Sequence, residues 1–284
     1  MPSLIDLRRR IRSVKNTQQV TKAMKMVSAA KLRRAQDRVI AARPYTAMFA
    51  SLLRDVASAA AGDDRAGVHT LLVRRPENRV LLVMLTADRG LAGGFNSNLI
   101  RASLNFIAEH SEVMLSVLGR KGRDFWRKRS GRMVAEKTGI SEKASYGDAT
   151  ELAKDIAGRF ERDEIDAAYL LFNEFKSVLS QKVTLRRVLP LEIPESGPGP
   201  DFIYEQPPEQ LLASLLPKYV EIAIYQAMLE SAAAEQAARM TAMESATTNA
   251  GEVIDTLTLY MNRVRQASIT REIIEVVSGA AATG

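Results

Sequence analysis

Sixty consecutive residues near the end of this chain carry no strong helix breaker. After Pro217, which suits the first turn of a helix, helical sequence runs unbroken to Ser278-Gly279, a C-terminal stop signal. Gly251 is the one weak position between them. A 3,4 spacing through this stretch picks out Tyr219, Ile222, Gln226, Leu229, Ala233, Gln236, Met240, Met243, Thr247, Ala250, Ile254, Leu257, Met261 and Val264. Eleven of these fourteen are apolar, which is a sustained coiled-coil seam. Such a helix is roughly 90 Å long at 1.5 Å per residue. A compact chain of this size is only about 50 Å across, from a radius of gyration near 19 Å. The sequence therefore predicts a helix that outruns any single globule and needs a partner along its length.

The other end of the chain supplies that partner. Ser3 and Asp6 read as a capping box. Leu4, Leu7, Ile11 and Val14 then keep a 3,4 spacing, and Leu32, Ala35, Val39 and Ala42 resume it in the same register. Gln18, Thr21, Lys25 and Ser28 hold that register in between, while Val20, Met24 and Val27 form a neighbouring stripe that implies a different neighbour there. No glycine occurs before Gly62, so one helix is predicted from about residue 4 to the high fifties, bent at Pro44. Charge supports the pairing. Residues 1–43 hold twelve Lys and Arg against Asp6 and Asp37, a net of +10, and residues 209–284 carry a net of −4. The whole-chain net of +7 would by itself suggest an acidic partner such as nucleic acid, but its division into opposed ends fits two complementary helices better.

Between these helices strands and helices alternate. Val80–Thr86 is a buried-strand run, followed by a glycine-rich turn and a helix over about Ser97–His110. Val113–Leu118 is a second strand, followed by a basic helical stretch over Arg120–Arg129. A helix over about Thr150–Arg162 precedes the strand Ala167–Phe175, and Val178–Leu189 reads as an antiparallel return. This alternation predicts a small Rossmann-like α/β sheet domain with helices on its faces. The stretch 190–208 holds six of the ten prolines and forms an exit loop. The expected organisation is an N-terminal long helix (1–60), a central α/β domain with its proline-rich loop (61–208) and a C-terminal long helix (209–284), the two helices pairing as an antiparallel coiled coil beside the sheet domain.

Catalytic chemistry finds little material here. There is no cysteine, and the two histidines, His69 and His110, are isolated. No metal site and no cofactor is expected. No apolar run reaches the ~18 residues of a membrane span, and the first ten residues lack a signal-peptide core, so a cytosolic start is expected. The turn Asp88–Asn96 contains Gly90, Gly93 and Gly94, a spacing that matches neither G-x-G-x-x-G nor a P-loop. It reads as a tight strand-to-helix turn. The carboxylates Asp163, Glu164 and Asp166 read as a solvated turn. The basic first helix could track phosphates, but no aromatics interleave with its Lys and Arg, and the charges lie on several faces. A basic coiled-coil nucleic-acid-binding protein is the alternative reading. At Asn262–Thr270, where the coiled-coil stripe slips, Arg265 and Gln266 offer a planar fork and an amide for reversible contacts. Beyond them Ile269, Ile273 and Val276 carry the apolar face.

Four stretches carry a family resemblance: IRSVKNTQQVTKAMKMVSAAKLRRAQ over residues 11–36, EQAARMTAMESATTNAGE and NRVRQASITREIIEVVSGAAA over 235–252 and 262–282, and the central DRGLAGGFNSN. Together they resemble the gamma subunit of the rotary proton-translocating ATP synthase, bacterial type, across essentially the whole chain. The family often has cysteine where this chain has Ala92. The resemblance implies a non-catalytic central shaft in single copy. Its tip would lie inside a hexamer of alpha and beta subunits and its base on the membrane ring of c subunits, with epsilon bound. It also implies that Arg265 and Gln266 meet a beta-subunit loop, with Met24 beside that zone. Ile269, Ile273 and Val276 would form a tip bearing, and Tyr204 would lie near the base of the stalk, by the c-ring and epsilon. The complex would sit at the cytoplasmic face of the bacterial inner membrane, the chain being peripheral to it and binding no nucleic acid.

Overall fold

A computed structural model describes residues 3–60, 69–129, 132–140, 144–192 and 205–283, with side chains described to residue 278. The first long helix, α1, spans Leu4–Ala60 and is capped by the Ser3–Asp6 box, in which the Ser3 hydroxyl lies 2.8 Å from the Asp6 carboxylate. Pro44 lies inside it. The proline removes the N–H that would have bonded the carbonyl of Ile40, and Ile40 and Pro44 are both exposed, so water can take that place. Five strands and three helices follow: β1 (Arg79–Leu85), α2 (Phe95–Glu109), β2 (Glu112–Leu118), α3 (Arg120–Trp126), β3 (Met133–Lys137), α4 (Tyr146–Glu161), β4 (Ala167–Phe175) and β5 (Gln181–Leu189). A short 3-10 turn at Thr70–Leu72 precedes them. The last helix, α5, spans Pro208–Thr283.

Several boundaries differ from the sequence reading; α3 ends at Trp126 and β5 begins at Gln181, each three residues short of expectation. Helix α5 begins nine residues before Pro217, because the carbonyl of Ala213, which loses its partner to the proline ring, lies on an exposed turn. It also continues past Ser278-Gly279 to Thr283. Helix α4 starts at Tyr146 rather than Thr150, under a capping box formed by Ser145 and Asp148. The strand β3 was not anticipated.

The chain divides into two compact units, residues 1–28 with 240–284, and residues 29–239, and both long helices contribute to each. In the larger unit the sheet order is β3-β2-β1-β4-β5, parallel except for β5, which runs antiparallel to β4. Both faces of the centre are covered, which is why β1 reads as an unbroken apolar run. On one face Leu81, Val83 and Leu85 join Ala153, Ile156 and Phe160 of α4 and Leu216, Val220 and Ile224 of α5 in a single buried cluster. On the other, Met84 and Val117 lie against Gly122 of α3, and Tyr169 meets Phe106 of α2. Successive residues of a strand point to opposite faces, so this alternation sets the register of the whole sheet. At the amino ends of β1 and β4, Asp166 accepts hydrogen bonds from the Arg79 backbone and guanidinium at 2.8 Å each.

Candidate functional site

In the smaller unit the two long helices run antiparallel. Thr21 meets Thr247 through their hydroxyls at 2.7 Å, and Lys25 meets Glu244 at 2.7 Å, so position rises on one helix as it falls on the other. The Gln18 amide donates to the Thr247 carbonyl at 3.4 Å and lies beside Gly251, where the missing side chain leaves room for it. The α1 seam follows the sequence register, including its polar stretch: Leu7, Thr21 and Ser28 are buried, while Ile11, Val14, Gln18 and Lys25 are half-buried. The neighbouring stripe behaves differently, with Val20 58% and Val27 56% exposed. Along this part of the pair α1 turns polar side chains to the seam and leaves Val20 and Val27 outside, while Met243 and Ala250 of α5 are buried. An open groove of about 350 Å³ follows the seam, lined by Gln18, Gln19, Lys22, Lys25, Glu244, Thr247 and Thr248.

In the larger unit α5 is buried on nearly all sides from Val220 to Arg239. Charged side chains in that stretch are held by specific partners, as burial requires. Glu221 accepts from the Tyr146 hydroxyl at 2.8 Å, from Thr150 at 3.1 Å and from Lys218 at 3.1 Å. Burial pushes its carboxyl up, but bonds from Tyr146, Lys218 and Thr150 outweigh that and hold it below the usual carboxylate range. Burial and the same carboxylate push the Tyr146 phenol up, so the phenol stays a donor. Glu230 accepts from the backbone N–H of Phe175, at the end of β4, at 3.1 Å. Arg239 is bonded to Glu235 one turn earlier at 2.7 Å and reaches the carbonyl of Gly90 at 3.4 Å. Lys25–Glu244 and Arg43–Glu230 join the basic helix to the acidic one, while Arg8, Arg9, Arg10 and Arg12 remain exposed.

Gly90 belongs to the glycine-rich turn after β1. Its shape comes from its own bonds: Asp88 accepts the backbone N–H of Arg120 and of Gly139, Asn96 accepts that of Ala87, and Leu91 and Gly93 take positive φ. Strands β2 and β3 lie on one side of β1 and β4 on the other, so the crevice at the carboxyl ends of β1 and β4 is the topological switch point, where doubly wound sheets bind ligands. Here that region is closed by α5. Beside it, at the carboxyl ends of β1 and β2, the space bounded by Leu85, Thr86, Leu118, Gly119, Ile140, Met228, Ser231 and Ala232 is about 20 Å³, room for about one water molecule and far short of a nucleotide. The alanine-rich stretch from Ala232 to Ala238 thus lies partly against the sheet. A wider cleft of about 260 Å³ lies between α4 and the β2–β3 edge. Most of its charges pair with one another or with a neighbour, Lys137 with Asp148 and Glu151, and Arg159 with Asp155 and Glu164. Among the described residues no group of acidic and histidine side chains could hold a metal ion.

The residues singled out by sequence fall into three places. Arg265 and Gln266 are adjacent and exposed on α5. Ile269, Ile273 and Val276 follow them, 49%, 58% and 71% exposed. Met24 is half-buried on α1 beside Lys25, whose partner is Glu244. The structure does not bring it to Arg265, which lies eighteen residues past Thr247, roughly 27 Å along the helix. Tyr204 lies outside the described residues. Sequence reasoning passed over Glu230, Glu235 and Arg239. The available signal was three charges inside an otherwise small and apolar stretch, but spacing alone could not name their partners.

Comparison with known proteins agrees with this architecture. The ATP synthase family model matches residues 3–283. The ATP synthase gamma chain of Solibacter usitatus is 62% identical over 284 residues, covering 99% of each chain. That of Desulfitobacterium hafniense is 49% identical over 283 residues, again with 99% of each covered. Among solved structures, a chain of the Euglena gracilis mitochondrial ATP synthase (OSCP/F1/c-ring) shares the fold with a TM-score of 0.69 at 18% identity, covering 99% of this chain and 94% of that one. A chain of the Tetrahymena thermophila mitochondrial ATP synthase central stalk and c-ring gives 0.63 at 24% identity, covering 80% of this chain and 99% of that one. A long antiparallel helix pair, a sheet whose ligand crevice is closed by its own last helix, and identity along the full length lead to one conclusion: this chain belongs to the ATP synthase gamma-chain family.

Proposed function

We infer that this chain is the non-catalytic central shaft of a rotary ATP synthase, coupling proton flow through a membrane ring to conformational change at catalytic beta subunits. The observation that carries the reading is the 62% identity to a gamma chain over 99% of both sequences. The geometry suits the role. A single asymmetric helix pair cannot present one face to three equivalent partners at once, so its contacts stabilise three different conformations around it. That is a coupling free energy, and turning the shaft exchanges the states. The chain supplies stiffness and contact chemistry, and the ATP chemistry belongs to the beta subunits.

On this reading the partners are the alpha and beta hexamer, epsilon and the c-subunit ring, with one copy of this chain in each complex. Arg265 and Gln266 contact a beta-subunit loop. Both are exposed, and an arginine fork and a glutamine amide can form and release hydrogen bonds to carboxylates and backbone as the shaft turns. Met24, half-buried on α1, is the methionine that the family places beside the beta-subunit contact zone. Ile269, Ile273 and Val276 form the tip bearing: exposed apolar side chains on a lone helix end have no directional bonds to break on rotation. Tyr204 lies near the stalk base, by the c-ring and epsilon. The complex sits at the cytoplasmic face of the bacterial inner membrane with this chain peripheral, consistent with the absence, among the described residues, of any helix long and apolar enough to cross a membrane.

The test is reconstitution with alpha and beta subunits. The lone chain should hydrolyse no ATP and the mixture should form a stable active complex. Replacing Arg265 and Gln266 together with alanine should leave the thermal midpoint of the lone chain unchanged and lower coupled activity of the complex by about tenfold, the cost of about 1.4 kcal/mol of lost contact. Full coupling in that double variant would remove both residues from the contact.

A further inference from the structure

The closed switch-point crevice has a mechanical meaning that the contact residues at the tip do not supply. A shaft transmits torque only if its helix cannot turn within the domain that grips it. Apolar packing alone resists this poorly, because it is non-directional. Two directional attachments stand out on α5 where the sheet surrounds it. Glu230, 3% exposed, accepts the Phe175 N–H at the carboxyl end of β4. Arg239, 6% exposed and paired with Glu235, donates to the carbonyls of Arg89 and Gly90 in the turn after β1. These are the two strands that flank the crevice. Nine residues separate Glu230 from Arg239, two and a half turns, so their Cα atoms lie on opposite sides of the helix about 13.5 Å apart along its axis. Two attachments so placed oppose rotation in either sense as well as sliding.

We propose that Glu230 and Arg239 are positioning residues for rotary coupling. They fix the rotational setting of α5 against the carboxyl ends of β1 and β4, in the place where other doubly wound sheets hold a ligand. The turn at Asp88–Asn96 is then a clamp for a helix, with the main-chain carbonyls of Arg89 and Gly90 as its acceptors. Glu235 keeps the Arg239 fork in plane by a charge-assisted bond. The proposal rests on the shaft reading, and its test separates the two.

Full-length Glu230→Gln, Glu230→Ala, Arg239→Lys, Arg239→Ala and the double alanine variant would be assembled with alpha, beta, epsilon and c-ring subunits in lipid vesicles. ATP hydrolysis and ATP-driven proton uptake would be measured on the same preparation, and amide hydrogen exchange on each lone chain. The double alanine variant should keep at least half of the hydrolysis yet pump at least threefold fewer protons per ATP. A merely structural role would reduce the amount of complex without moving that ratio. Glu230→Gln should keep the ratio, since its amide oxygen still accepts the Phe175 N–H, whereas Glu230→Ala should speed exchange of that amide at least tenfold. Arg239→Lys, which can hold Glu235 but lacks the fork, should speed exchange in residues 88–96. A normal ratio with normal exchange in the double variant would overturn the proposal. If the double variant fails to assemble, the same null result in Glu230→Ala and Arg239→Lys would overturn it. If the unmodified chain restores no coupled pumping, the shaft reading fails instead, and exchange in the lone chains still decides whether the two residues seat α5.

Discussion

One helix lives in two environments. From Val220 to Arg239, α5 is enclosed by the sheet, α1 and α4, and even its carboxylates have assigned partners; from Ile269 to residue 278 every described side chain is exposed. Between them lies the polar seam with Thr21 and Thr247, where hydroxyls, an amide and an ion pair do the joining and valines face outward. On the proposed shaft reading, burial here follows mechanical duty. Where the helix must be gripped it is sleeved and bonded. Where partners must meet and leave it, its apolar and hydrogen-bonding groups stay at the surface.

That contrast can be broken at its glycines. Gly119 follows β2 with φ +96, and a Cβ there would collide with the Thr86 carbonyl. Thr86 cannot yield, because its hydroxyl bonds the Leu118 carbonyl at 2.9 Å and receives the Gly122 N–H at 2.9 Å. Gly119→Ala should therefore leave little soluble folded chain, as measured by expression and circular dichroism. An intermediate effect is expected at Asp166. The Arg79 guanidinium that hydrogen-bonds it holds its carboxyl below the usual range. A depressed folded value stabilises fully above the unfolded value of about 3.9, and the contribution is lost as pH falls through the folded one. Asp166→Asn should be less stable at pH 7, and its urea midpoint should fall less steeply than that of the unmodified chain below about pH 4. The smallest effect should come from Gly251→Ala in the helix pair. The new Cβ would meet only the Gln18 amide at 3.2 Å, which can swing aside, and alanine gains up to about 1 kcal/mol of helix propensity. A slight rise in thermal midpoint is expected. A fall of several degrees would mean that the seam is as tightly fitted as the sheet, and the contrast would be lost.

The sequence was most legible where periodicity is long. The register from Leu4 to Ala42 passes through Gln18, Thr21, Lys25 and Ser28, and the structure keeps these polar residues at least half-buried while Val20 and Val27 face out. Spacing was a better guide there than hydrophobicity. The parallel strands β1, β2 and β4 were visible as apolar runs because both sheet faces are covered. Strand β3 escaped because MVAEK is five residues at the sheet edge, with alternating half-buried and exposed side chains and no turn signal to frame it. The start of α4 was written in Ser145 and Asp148 but lay outside the periodic stretch. Of the candidate site, Arg265 and Gln266 stood out because the apolar stripe slips beside them. The grip of Glu230 and Arg239 did not, because Phe175 and Gly90 are 55 and 149 residues away in sequence and contribute backbone rather than side chains.

The antiparallel seam also sets an order of events during synthesis. Thr21 and Thr247 are 226 residues apart. At about 5–20 residues per second, the amino-terminal half of α1 leaves the ribosome roughly 10–45 s before its partner exists. During that interval an ordinary leucine-lined strand of a coiled coil would be a sticky, unpaired surface. A seam that is hydroxyl, amide and ammonium for three turns, flanked by Arg8, Arg9, Arg10 and Arg12, is one that water can hold open. The residues that join the finished pair are the ones that let its first half wait.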